Sequence, residues 1–311
     1  MSGLFYYWVD ILGMEKEEKL KSGNGWLPAS IIIAAVVLTV AWNYNSKTGT
    51  VSPGQINGDI SNLEAEILPA KGVLLPVTWG NLGIQMIDAG VIDPEKFESI
   101  YSGRGGLSED ARQLLYEAKN SSIKMTPQNA GEILNLLWAL GLGNKNDILE
   151  NGEMASYGKD KIGNFASTGG WSLSKGGPMD HYSRHNFITL SNSEQSLLDK
   201  VSRGIYRPCC GNSTHFPDCN HGMAMFGLLE LMASQGVNED EMYRVALQVN
   251  SYWFPETYLT IGKYMAAKNI SWDNVDPKEI LGASYSSAQG YSRILKEIEP
   301  ATYGGGGGCG V

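Results

Sequence analysis

Histidine and cysteine are scarce in this 311-residue chain, four of each, and the first 180 residues contain neither. Positive charge is also short. The 24 Lys and Arg against 33 Asp and Glu leave a formal net charge of −9, and no stretch concentrates the basic residues. That excludes a nucleic-acid partner, because binding phosphates needs a dense basic surface. Period-two alternation of the kind that marks strands is absent, as is any repeat of fixed period. The glycine-rich Gly103-Arg104-Gly105-Gly106 follows no strand pattern, so nucleotide binding has no support. No pair of cysteines has the spacing that attaches a c-type haem.

What the chain does have is apolar and helical. Hydrophobic residues make up 42% of it, with eight Trp and fifteen Tyr, enough to build a packed interior rather than a disordered chain. Helix-start signals recur. Asp93-Pro94, Thr126-Pro127 and Asp276-Pro277 pair a capping residue with proline at the first helical position. Ser108 precedes Glu109 and Asp110, Ser191-Asn-Ser-Glu194 is a capping box, and Asn238 stands before three acidic residues. The expected fold is all-α: a single membrane anchor followed by an irregular multi-helix domain with long loops. The longest loop, from about 152 to 189, carries His181 and His185.

The anchor is read from residues 27–44, part of a segment without charge from Trp26 through Asn45. At about 1.5 Å per residue it reaches the lower limit for crossing a hydrocarbon core of about 30 Å. Trp26, Trp42 and Tyr44 mark its ends, and Lys16, Lys19 and Lys21 precede it, which predicts residues 1–26 in the cytoplasm. Membrane lipid is then a partner through 27–44. No small-x-small cleavage pattern follows, so the segment reads as an uncleaved signal anchor of a single-pass protein. Residues 45–58 read as a flexible stalk, 59–303 as the extracytoplasmic helical domain, and 304–311, with five successive glycines before Cys309, as a flexible tail. Asn120, Asn212 and Asn269 begin Asn-x-Ser/Thr sequons.

All four histidines and three of the four cysteines lie between His181 and His221. Thiolate and imidazole are the ligands of soft and borderline metals, and neighbours in sequence converge on one ion at little loop-closure cost. The expected metal ligands are Cys209, Cys210, Cys219 and His221, with His215, His181 and His185 as alternatives, and the expected cofactor is a transition metal ion, copper or zinc. The turn Phe216-Pro217-Asp218 is positioned to return Cys219 toward Cys209 and Cys210. Cys219 and His221 sit just before an amphipathic helical segment, 222–232, and the positive end of its dipole favours thiolate there. Adjacent cysteines seldom both bind one ion, so one of the pair is expected to be a spectator.

Cys219-x-His221-x-Met223 shares the ligand order of copper electron-transfer loops, at shorter spacing and without their β-sandwich. An iron-sulfur cluster lacks its fourth local cysteine. His181-Tyr-Ser-Arg-His185 has the spacing of a zinc-protease helix, but Tyr182 stands where the catalytic glutamate belongs. The functional expectation is therefore a membrane-anchored extracytoplasmic protein for copper or zinc handling, or for copper electron transfer. Two other readings compete: a thiol-disulfide or metal-dependent enzyme, and a structural surface protein in which Cys219 is bridged to Cys209 or Cys210, as an oxidising compartment favours. The aromatic run Tyr252-Trp253-Phe254, with Tyr258, reads as core, or as the wall of the metal pocket.

Overall fold

The computed structural model describes residues 62–119 and 122–303, so the anchor at 27–44, the stalk, Asn120 and the glycine tail with Cys309 lie outside it. Among the described residues no helix is long and apolar enough to cross a membrane. The architecture is helical, and its only sheet among those residues is a two-residue antiparallel ladder pairing Val73 with Met125 and Leu74 with Lys124.

Two helices form the centre, Ala130–Gly143 and Asn220–Ser234, and both are apolar all round rather than striped. A helix without a polar face has to be buried on every side, and here the two lie against each other. They cross at paired glycines. A Cβ on Gly141 would stand 2.3 Å from the Met223 carbonyl oxygen, and one on Gly227 would stand 2.5 Å from that of Leu137. Only hydrogen at both positions allows the backbones so close.

Asn192–Gly204 and Glu239–Trp253 pack against this pair, and Pro255–Ala267 packs on Glu239–Trp253. Their starts follow the sequence signals. Ser191 and Glu194 form the capping box, and the Asn238 side chain accepts from the Glu241 amide at 3.0 Å. Asp93 and Asp276 cap Pro94–Ser102 and Pro277–Leu281 in the same way. One start moves. Thr126-Pro127 does not begin the central helix, because Thr126 and Asn129 bond each other's backbone amides in a turn, and the helix starts at Ala130.

The long connection holds only short helical turns, yet it is fastened to the core. Trp171 is fully buried, donates its indole N–H to the Val91 carbonyl at 2.8 Å, and meets Trp138 edge-on with ring centroids 4.9 Å apart. The Ser167 amide donates to the Asp218 carbonyl at 3.1 Å, tying the connection to the cysteine loop.

Candidate metal centre

The cysteine loop begins where the Asn192–Gly204 helix ends. Tyr206 and Ser213 form an isolated antiparallel bridge, and the Thr214 amide donates to the Ile205 carbonyl at 2.8 Å, so the loop closes on its own base. The Cys210 carbonyl accepts from the Ala288 amide at 2.9 Å, which fixes the loop to the C-terminal helices. Cys219 is the N-cap of the Asn220–Ser234 helix, and its sulfur accepts from the Gly222 amide at 3.4 Å. The sulfurs of Cys209, Cys210 and Cys219 all lie within 4.8 Å of one another, and Cys209 Sγ is 3.5 Å from Cys219 Sγ. All three cysteines are free, so the bridge between Cys219 and either neighbour, the competing reading, is not formed here.

Arg207 organises the cluster, and the sequence reading missed it. Its side chain is 1% exposed. Nε donates to Cys219 Sγ at 2.9 Å, Nη1 to the Asn212 carbonyl at 3.0 Å, and Nη2 to the Phe216 carbonyl at 3.0 Å and to Asp218 Oδ1 at 2.5 Å. The guanidinium lies flat against the first turn of the helix, where a Cβ on Gly222 would stand 2.5 Å from Arg207 Cζ. The available signal was a charge at each end of the loop: Arg207 two residues before Cys209, and Asp218 immediately before Cys219.

The three thiols are chemically unequal. Hydrogen bonds from Cys209 and Cys210 hold Cys219 well below its ordinary thiol value, with further help from the Arg207 charge, so Cys219 is the thiolate. Cys209 is pushed up by its hydrogen bonds to Cys210 and Cys219 and by burial. Cys210 is also raised, since its donation to Cys219 and its burial outweigh the favourable bond from Cys209. The resting charge pattern is one thiolate, one guanidinium and the Asp218 carboxylate, with Cys209 as the exposed member.

The histidines do not join the sulfurs. Among the described residues the set of ligand atoms within mutual reach contains the three cysteines and no imidazole. His221 lies in the first turn of the Cys219 helix, but its Nδ1–H donates to Asn220 Oδ1 at 2.9 Å and its ring packs on Phe254 at 4.3 Å and Trp253 at 5.8 Å. Burial lowers its pKa to about 4, against the raising effect of the Cys219 thiolate, so the ring is neutral at physiological pH. His215 is bonded to Asp199 Oδ2 at 2.8 Å.

His181 and His185 pair with each other. His181 Nε2 donates to the Lys175 carbonyl at 2.7 Å, and a hydrogen bond of 3.1 Å joins His181 Nδ1 and His185 Nε2. Trp253 and Phe254 thus wall His221 rather than the sulfurs, and Tyr252 donates to the Pro69 carbonyl at 2.9 Å. At the Asn212 sequon, the amide Nδ2 that a glycan would modify donates to Asp218 Oδ2 at 2.8 Å.

Comparison with protein-family models, curated proteins and solved structures returns no match to this chain.

Proposed function

We propose that this chain is a transition-metal-binding protein that holds copper(I) or zinc on the thiolates of Cys209, Cys210 and Cys219. The observation that carries the reading is the mutual approach of the three sulfurs within 4.8 Å. A zinc–sulfur bond of about 2.3 Å in tetrahedral geometry sets sulfurs about 3.8 Å apart, so small side-chain adjustments suffice. Three thiolates without a fourth protein ligand suit copper(I), a soft ion; zinc would complete its shell with water. Cys209, being exposed, is where an incoming carrier ligand would exchange first, which fits a role in metal handling. Anchoring through 27–44, with residues 59–303 extracytoplasmic, belongs to the same proposal; membrane fractionation and protease protection test it.

Metal loading must displace protons, because a ligating cysteine is a thiolate. Cys219 starts deprotonated and Cys209 and Cys210 start protonated, so binding at neutral pH releases two protons per ion and weakens as pH falls. Anaerobic titration with copper(I) against a chromophoric chelator, in weakly buffered solution with a pH indicator, reads stoichiometry and proton release together. One ion and two protons are expected. Binding that displaces no protons, or unchanged metal content in a C209S/C210S/C219S variant, overturns the proposal.

The 3.5 Å approach of exposed Cys209 to the Cys219 thiolate favours a second reading, a thiol-disulfide redox pair. Free-thiol counting separates the two. A metal site releases thiols on chelation, whereas a redox pair releases them with mild reductant alone.

A further inference from the structure

A cavity of about 380 Å³ opens on the other side of the Asn220–Ser234 helix start, bounded by the loop at Arg104–Ser108, the first turns of Ala130–Gly143 and the end of Glu239–Trp253. Its chemistry differs from that of the cysteine cluster. Glu132, on its wall, is 6% exposed, and among the described residues no cation lies within ion-pair distance of it. Among the described residues its carboxylate accepts from the Ser108 amide at 2.8 Å and from the Ser108 hydroxyl. A buried carboxylate without a counter-charge is costly, and here, unlike at Glu230, it lies on a cavity wall where a bound cation could supply that charge.

One turn along the same helix, Asn135 is 3% exposed and its Oδ1 has no hydrogen-bond partner. Its amide nitrogen donates to Tyr101 Oη at 2.7 Å, which orients the amide and leaves the oxygen as an unfilled acceptor. The rings of Tyr101, Tyr252 and Trp253 complete the wall. An anionic oxygen, an unfilled amide acceptor and aromatic faces are complementary to a group that carries positive charge and several N–H donors. Arg104, the cation on the lining, is exposed at the mouth and leaves the interior negative.

We propose that this cavity binds a primary ammonium group, held by Glu132 and Asn135 and faced by Tyr101 and Trp253. Two sources share that chemistry, a free alkylamine and a lysine side chain. The site does not depend on the metal proposal, since none of the three cysteines lines it.

Calorimetric titration of the full chain with n-butylamine, Nα-acetyl-lysine methylamide, n-butanol and tetramethylammonium tests it. Both amines should bind at least tenfold more tightly than n-butanol, which has the shape without the charge, and than tetramethylammonium, which has the charge without the donors. Tighter binding of the lysine derivative identifies a peptide side chain as the source; tighter binding of n-butylamine identifies a free amine. Glu132→Gln should weaken the amines at least tenfold, and Asn135→Asp, which adds charge at the unfilled acceptor, should tighten them. Should Glu132→Gln fail to fold, the n-butanol comparison and the Asn135→Asp variant still decide. Equal affinity for n-butanol, or amine binding unchanged or weakened in Asn135→Asp, overturns the proposal.

Discussion

Replacing Arg207 with methionine keeps most of its volume and removes the guanidinium donors at the centre of the cysteine loop. Four acceptors lose a donor: the Cys219 thiolate, the Asp218 carboxylate and the carbonyls of Asn212 and Phe216. Breaking a buried charge pair costs about 3–5 kcal/mol, chiefly because the abandoned charge stays buried. Asp218 is 21% exposed and can regain some water, which places the loss at the lower end, about 3 kcal/mol. In a domain of this size that corresponds to a fall in melting temperature of about 6–12 °C. Arg207→Lys should fall between, because one ammonium cannot serve four acceptors arranged around a planar fork.

The same substitution has a chemical readout. Wild-type protein should show one thiolate equivalent by ultraviolet absorbance at neutral pH, assigned to Cys219 by its loss in Cys219→Ser. Without the guanidinium, Cys219 should titrate at higher pH and react more slowly with iodoacetamide at pH 6. A melting temperature within 2 °C of wild type (a shift worth about 1 kcal/mol or less), or an unchanged thiolate signal, would refute the role assigned to Arg207.

The central crossing and the buried acid yield two more expectations. Gly227→Ala forces a Cβ to within 2.5 Å of the Leu137 carbonyl oxygen, so the central helices must separate; a loss of about 3 kcal/mol in urea unfolding is expected, despite the better helix propensity of alanine. Glu230 is fully buried, accepts from Asn144 and Asn146 at 2.9 Å each, and has its pKa raised well above the usual carboxyl range, chiefly by burial. The folded state therefore keeps a proton that the unfolded chain loses above about pH 4.3, and this group lowers stability by about 1.4 kcal/mol per pH unit from there up to its folded pKa. Glu230→Gln removes that dependence, so its stability relative to wild type should rise with pH over this window in denaturant melts; a constant difference would show that the acid does not hold its proton.

The helices were legible because their signals are local. Ser191 through Glu194 and Asn238 need only their own first turns to declare a start, and the structure uses them as caps. The return of Cys219 to Cys209 and Cys210 was legible for the same reason, since nine intervening residues and a proline turn leave the loop few alternatives. Thr126 misled because a threonine before proline serves a turn as well as a helix, and Asn129 three residues later competes for the same backbone amides. Glu230 could not be read at all. On paper it is a charge in an apolar helix, and only the approach of Asn144 and Asn146, more than eighty positions away, makes it a buried neutral acid.

The histidines show where nearness in sequence stops predicting a shared site. His221 is two residues from Cys219, yet in a helix its first turn carries the imidazole around the axis and away from the N-cap sulfur, onto Trp253 and Phe254. His181 and His185 lie on a different strap, where three of their four ring nitrogens are bonded to each other or to a carbonyl. What gathers the sulfurs is a loop closed at its base and wound around one buried cation. The guanidinium touches Cys219, Asn212, Phe216 and Asp218, and the sulfurs of Cys209 and Cys210 lie within 4.8 Å of that of Cys219. The donor set of the proposed site is accordingly all sulfur, and within that proposal it favours a soft ion over a general transition metal.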